Sequence, residues 1–230
     1  MVYITGDCHG DFERIIEFCE DVCTAAEDDI LVILGDAGIN YHGSPSDNEL
    51  KQMLSDLPIT LLCIHGNHEM RPESIDTYDE AEWNDGIVYV EPEYPNLLFA
   101  KDGEIYNLEG RRCIAIGGAY SVDKYSRTPH VNWWPDEQPS DEIMAQVEAR
   151  LSKERWRVDA VFSHTCPLKY IPREEFLPNI NQANVDRSTE EWLDSIEDRL
   201  TYDIWYCGHW HTDKRDNNIV FMFQDYRDLL

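Results

Sequence analysis

The stretch Ile30-Leu-Val-Ile-Leu34-Gly35-Asp36 decides the fold. Its apolar run is short and rich in β-branched residues, which suits a strand covered on both faces. The run stops at a glycine, which permits a sharp turn, and leaves an aspartate just past the strand. The same grammar stands on either side. Val2-Tyr-Ile-Thr5 leads into Gly6-Asp-Cys-His-Gly10, and Ile59-Thr-Leu-Leu-Cys-Ile64 leads into His65-Gly-Asn-His-Glu69. Between these strands, Phe12, Ile15, Ile16, Cys19, Val22, Cys23 and Ala26 recur at helical spacing. Ser46–Leu57 reads as a second helix, opened by Ser46 or Asp47. The first third is therefore β-α-β-α-β, which calls for parallel strands joined by right-handed crossovers.

Further along, Ile87–Val90, Leu97–Ala100, Ile105–Leu108 and Arg112–Ile116 read as short strands separated by turn residues, the pattern of a meander. Residues 119–139 form a long aromatic and polar connection. Helices are expected from Ser140 to Trp156, with Ser140 as cap, and from Ser188 to Leu200, with Ser188 and Glu191 as a capping box. Ala160–Ser163 ends in His164, Asp203–Cys207 ends in Gly208-His-Trp-His211, and Ile219–Phe223 is the last strand.

The bulk numbers narrow the class. With 230 residues the chain is ample for one domain spanning residues 1–230. A formal charge of −27 repels nucleic-acid backbones and anionic membranes at long range, so nucleic acid is disfavoured as a partner. The seven cysteines form no Cys-x-x-Cys pair and sit mostly in or beside apolar runs. They read as reduced, buried thiols, which points to the cytoplasm. No basic leader with a long apolar segment is present, and no window nears the ~20 apolar residues of a membrane span.

Five expected strands thus end in segments that carry Asp, His or Asn. In open α/β sheets ligands gather outside the carboxyl ends of the strands. Asp7, His9, Asp36, Asn67, His164, His209 and His211 should therefore meet in one crevice. Imidazole with carboxylate suits transition metals and zinc. The donor count exceeds what one ion takes. It fits two ions about 3.5–4 Å apart sharing a carboxylate, with Asp36 as the natural bridge. Such a pair polarises a phosphoryl oxygen and activates a shared water. Mn, Fe, Zn, Co and Ni all suit these donors, with Mn favoured.

The ordered set GDCHG, GDAG, GNHE, SH and GHWH, from Asp7 to His211, resembles the calcineurin-like metallophosphoesterases. The resemblance implies a four-layer αββα sandwich, an α+β or α/β arrangement, and hydrolysis of phosphoesters. It implies one metal on Asp7, His9, Asp36 and His211, and a second on Asp36, Asn67, His164 and His209. It makes His68 the residue that stabilises the transition state and protonates the leaving oxygen, a role that suits imidazole. Phosphoprotein phosphatases of this superfamily follow the second Gly-Asp with a further Asp-Arg and place Arg before Gly-Asn-His-Glu. Here Ala37-Gly-Ile-Asn40 and His65 stand there, which argues against protein dephosphorylation. A nuclease is a further alternative. A non-catalytic scaffold is the rival from another class, and retention of every donor argues against it.

For substrate contacts the candidates are His65, Arg71, Tyr120 and Arg127. Arg127 and Arg71 either clamp a phosphate or form surface ion pairs. His65 is either a satisfied strand-end histidine or a contact. Trp133-Trp134 either stack on a base or anchor their loop. Cys8, lying between two donors, is expected to point away and fill the core. The expected partner is a small phosphorylated substrate, in a pocket set mostly by residues 119–139.

Overall fold

The computed structural model describes residues 1–22, 29–43 and 45–229. In chain order the elements are β1 (Val2–Thr5), α1 (Glu13–Val22), β2 (Ile30–Ile33), α2 (Ser46–Ser55), β3 (Thr60–Cys63), β4 (Asp79–Trp83), β5 (Gly86–Val90), β6 (Leu97–Ala100), β7 (Ile105–Leu108) and β8 (Arg111–Ile116). There follow α3 (Asp141–Lys153), β9 (Ala160–Ser163), α4 (Ser188–Glu197), β10 (Ile204–Cys207), β11 (Lys214–Asp216), β12 (Ile219–Phe221) and β13 (Arg227–Asp228). Cys23 and Ala26, expected in the last turns of the first helix, lie outside the described residues.

Two sheets form. The first runs β13-β1-β2-β3-β6-β5-β4 and the second β11-β12-β10-β9-β8-β7. Their centres are parallel, β1-β2-β3-β6 in one and β8-β9-β10-β12 in the other. The meander expected in the middle is real, and it carries the chain from one sheet to the other: β5 and β6 close the first, β7 and β8 open the second.

Side-chain alternation builds the layers, because successive residues of a strand face opposite sides. Val2, Ile4, Val32, Leu34, Leu62 and Ile64 face Cys113, Ala115, Phe162, Tyr206 and Val220 across the space between the sheets. Their alternates Tyr3, Leu31, Ile33 and Leu61 pack on Phe12, Ile15 and Cys19 from the first helical segment and on Leu54 of α2. On the far side Ile116, Val161, Trp205 and Cys207 pack on Val147 and Leu151 of α3 and on Leu193 and Ile196 of α4. Three cores between four layers make the αββα sandwich. Each fully buried large apolar side chain contributes ~1.5–3 kcal/mol. The Tyr106 hydroxyl also donates to the Ile87 carbonyl at 2.7 Å, tying β7 to β5.

Two helix starts differ from expectation. Ser188 lies inside α4 rather than capping it, and the preceding Asp186 carboxylate accepts from the Ser188 amide at 2.9 Å. Asp47 does not cap α2 but turns back to accept from the amides of His42 and Gly43. Ser140 caps α3 as expected, accepting from the Ile143 amide at 3.3 Å. Among the described residues no helix is long and apolar enough to cross a membrane. Cys8, Cys19, Cys63, Cys113, Cys166 and Cys207 are free and buried.

Candidate metal centre

The parallel centres direct the carboxyl ends of β1, β2, β3, β9 and β10 to one edge of the sandwich. The loops there are tightly constrained. His9, Asp36, His209 and His211 all have positive φ, at 51°, 48°, 65° and 48°. That region is costly for residues with a Cβ, and its recurrence at four expected donors marks a built site. Glycines clear the space between loops. A Cβ on Gly66 would lie 2.0 Å from Asp36 Oδ1, one on Gly35 2.1 Å from His164 Nδ1, and one on Gly208 2.4 Å from Asp7 Oδ1.

The donor loops hold one another. The amides of Cys8 and His9 donate to the Asp36 carbonyl at 3.1 and 2.7 Å. Asp36 Oδ1 accepts from the amides of Asn67 and His68, both at 2.8 Å. Asp7 Oδ1 accepts from the His209 amide at 2.9 Å. Each carboxylate thus has one oxygen fixed by another loop and presents the other to the crevice. Asp7 Oδ2 is buried and receives no hydrogen bond. Its polar neighbours are Nε2 of His211 at 3.3 Å and Nε2 of His9 at 3.7 Å. Those two imidazole nitrogens are themselves only 2.9 Å apart.

A second group of atoms lies beside the first. His164 Nδ1 donates to the Leu34 carbonyl at 2.8 Å, which turns Nε2 inward. Asn67 Oδ1 lies 2.8 Å and Asp36 Oδ2 3.5 Å from that Nε2. The Asn67 amide nitrogen donates to Ser121 Oγ at 2.8 Å, which orients its oxygen to the site. Burial works against a charge on His164, yet the Asp36 carboxylate and then Asp7 override it and push the imidazole up to about 10. Burial, then the positive His164, push His209 down to about 3, leaving a neutral ring. Burial alone would raise the Asp36 carboxyl, and the His164 charge holds it well below the usual range.

This donor set fits divalent cations. Asp7, His9 and His211 form one group and Asp7, Asp36 and His164 another, each with ligand atoms within 4.8 Å of one another. Asp7 belongs to both groups. Asp36 Oδ2 also reaches both sides, with His9 Nδ1 at 4.0 Å and His164 Nε2 at 3.5 Å. Asn67 and His209 line the same cavity, and the His209 ring stands 5.0 Å from that of His164.

The cavity in front of these donors measures about 890 Å³. His68 lines it, with Nδ1 buried and unpartnered and its ring 5.6 Å from that of His9. Tyr120 and Arg127 line it too. Arg127 is held by Asp123, with Nε to Oδ1 at 2.8 Å and Nη2 to Oδ2 at 2.7 Å. The Tyr120 ring carries the Lys124 ammonium 3.9 Å from its centroid. His65 and Arg71 are placed elsewhere. Both line a separate hollow of about 340 Å³, where Arg71 Nη1 pairs with Asp102 at 2.7 Å and its Nε donates to the Asp136 carbonyl. Arg71 is therefore a buried ion-pair residue, neither at the surface nor in the metal-side cavity. Trp134 is buried against Tyr41, and Trp133 donates to Glu137 at 2.6 Å, so both serve their loop. Cys8 packs into the helix-side core, where burial pushes its thiol up to about 12.

Three contributors escape sequence reading. Glu69 is fully buried and accepts from the amides of Gly66 and Gly38 at 3.0 and 3.1 Å, joining two donor loops. Burial, then the Asp36 charge, push it up to about 8. Arg14 donates to the carbonyls of Gly6 and Asp7, both at 3.0 Å, and so gathers the first loop. The third is a wall of the cavity built by residues 171–187, between β9 and α4. For Glu69 the signal was its place beside Asn67-His68. For the wall there was none, since its apolar residues follow no period.

Comparison with solved structures finds a phosphopantetheinyl hydrolase from Mycobacterium tuberculosis, 14% identical, with a TM-score of 0.54, covering 96% of this chain and 87% of that one. It also finds a protein of unknown function from Aquifex aeolicus, 21% identical, with a TM-score of 0.34, covering 72% of this chain and 80% of that one. The first likeness is one of fold. No curated protein matches. The family model for calcineurin-like phosphoesterases matches residues 1–213. Members of that family are phosphoester hydrolases that use divalent metal ions, and the match takes in all seven expected ligands. The chain therefore belongs to the calcineurin-like phosphoesterase family.

Proposed function

We propose that this protein hydrolyses small phosphorylated substrates at a centre of two divalent cations. The observation that carries this reading is the interlock of Asp7 and Asp36, each pinned through one oxygen and turned to the crevice with the other. Asp7, His9, Asp36 and His211 would hold one ion, and Asp36, Asn67, His164 and His209 the other. Bound there, the ions would polarise a phosphoryl oxygen and bring a water's pKa toward ~7. The protein's own part is positional. His164 keeps Nε2 inward through its bond to Leu34, and Ser121 keeps the Asn67 oxygen inward. His68 faces the cavity free to hold a proton for the leaving oxygen.

The test combines metal content with a substrate panel. Metal-free protein is loaded with Mn, Fe, Zn, Co or Ni and assayed on phosphomonoesters, phosphodiesters and nucleotides. Two ions per chain and hydrolysis of at least one ester class are expected, with Mn the most effective. Asp36→Asn should lose both ions by elemental analysis, because it removes the shared carboxylate. Retention of two ions by that variant would refute the bridge.

A further inference from the structure

The cavity is much larger than a phosphate needs. At about 890 Å³ it lies near the top of the ~300–1,000 Å³ range that holds whole organic ligands. Away from the donors an apolar strip runs along its wall: Ile171, Phe176, Leu177, Ile180 and Val185 from one segment, with Trp210 from the loop after β10. Leu177, at the edge of this wall, is 58% exposed.

The two aromatic side chains of this wall already contact each other and Arg187. Phe176 and Trp210 pair at 6.1 Å, and the Arg187 guanidinium sits 5.7 Å from the Phe176 centroid. What remains for a ligand is mostly aliphatic. Among the described lining residues there is no lysine, and the cationic ones are Arg127 and Arg187. Arg127 is held by Asp123 and the Asn132 carbonyl, and Arg187 by the Gln182 carbonyl and side chain. Glu175 adds negative charge to the same wall. A second phosphate on the substrate would have to compete with Asp123 for Arg127 and would face the Glu175 carboxylate, so an uncharged chain suits this wall better.

We infer that the substrate is a phosphate ester of an extended, uncharged, largely aliphatic alcohol, whose chain lies along the 171–185 wall while its single phosphate faces the donors. This rests on the phosphoesterase reading and narrows its substrate class. Hydrolysis transfers the phosphoryl group to water and releases the alcohol, so the chain leaves with the oxygen.

The probes are ethyl, hexyl and decyl phosphate, with AMP and ADP for comparison, on Mn-loaded protein. Binding of the matching alkylphosphonates, which cannot be hydrolysed, is measured by calorimetry. Affinity and kcat/KM should rise with chain length, by up to about fourfold per methylene where burial is complete. Leu177→Asp and Ile180→Asp should each flatten that rise, lowering the decyl-to-ethyl ratio about tenfold or more. AMP should be a poorer substrate than decyl phosphate, and ADP poorer than AMP. Equal binding along the series, or preference for ADP, would overturn the inference. Hydrolysis of aryl phosphate without chain-length dependence sinks it while leaving the phosphoesterase reading standing. Chain-dependent phosphonate binding without hydrolysis of any ester does the reverse.

Discussion

His9, Asp36, His209 and His211 hold their side chains out on left-handed backbone, which for residues with a Cβ costs ~1–2 kcal/mol each. Amides of neighbouring loops offset that cost: one donor's N–H anchors another's carboxylate. His68 differs from these residues. Its amide takes part in the interlock through Asp36, while its ring does not. Truncating the ring should therefore leave the centre intact. For His68→Ala we expect unchanged metal content and a loss of about 10²–10⁴ in kcat on an aryl phosphate, the usual range for a proton donor. Parent-like turnover would remove the assigned role.

At the scale of elements, α4 carries an unusual burden. Glu190 in its first turn is 4% exposed, with Oε1 accepting from Thr165 and Oε2 unpartnered. Burial pushes its carboxyl from 4.5 up to about 7. The folded chain thus binds this proton more tightly than the unfolded chain. The carboxyl imposes no penalty below about pH 4.5, and its penalty grows as the pH rises to 7 and beyond. Glu190→Gln should therefore be more stable than the parent at pH 8, by up to about 3 kcal/mol, with the gap closing toward pH 5. Urea unfolding at the two pH values checks this, and a gap independent of pH would contradict it.

Elements with a hydrophobic period were legible before folding: β1, β6, β7 and β9 fall where the sequence places them, and the others shift by a few residues at their ends. β4 was not legible. Its sequence Asp79-Glu-Ala-Glu-Trp83 offers only Ala81 and Trp83 as an apolar face, too short a pattern to read among its charges, which suit an exposed edge strand by deterring pairing with other chains. The expected capping box at Ser188 failed because Asp186 reached the helix amide first. The seven donors could be gathered from sequence because each follows an apolar strand. Arg71 could not be placed, since nothing local says which side of a strand-end loop its side chain takes. The wall at 171–187 stayed hidden because its two short 3-10 turns leave no period to read.

On the scale of the whole molecule, the two sheets are joined by an apolar layer in which Phe162 is fully buried. Phe162→Ala should destabilise the fold by about 3–5 kcal/mol in urea unfolding, from lost burial and the cavity left behind. A loss under about 1 kcal/mol would mean that the layer repacks freely. The same layer sets the distance between the halves of the centre. Asp7, His9, Asp36 and Asn67 ride on one sheet, and His164, His209 and His211 on the other. Metal affinity would thus be a strain gauge laid across the sandwich: any slippage of one sheet against the other would alter the spacing of the expected ligands. Read in the other direction, ions held by both halves, as proposed, would be a rivet: binding only the aligned halves, they would add RT ln(1 + [metal]/Kd) to the stability of that alignment.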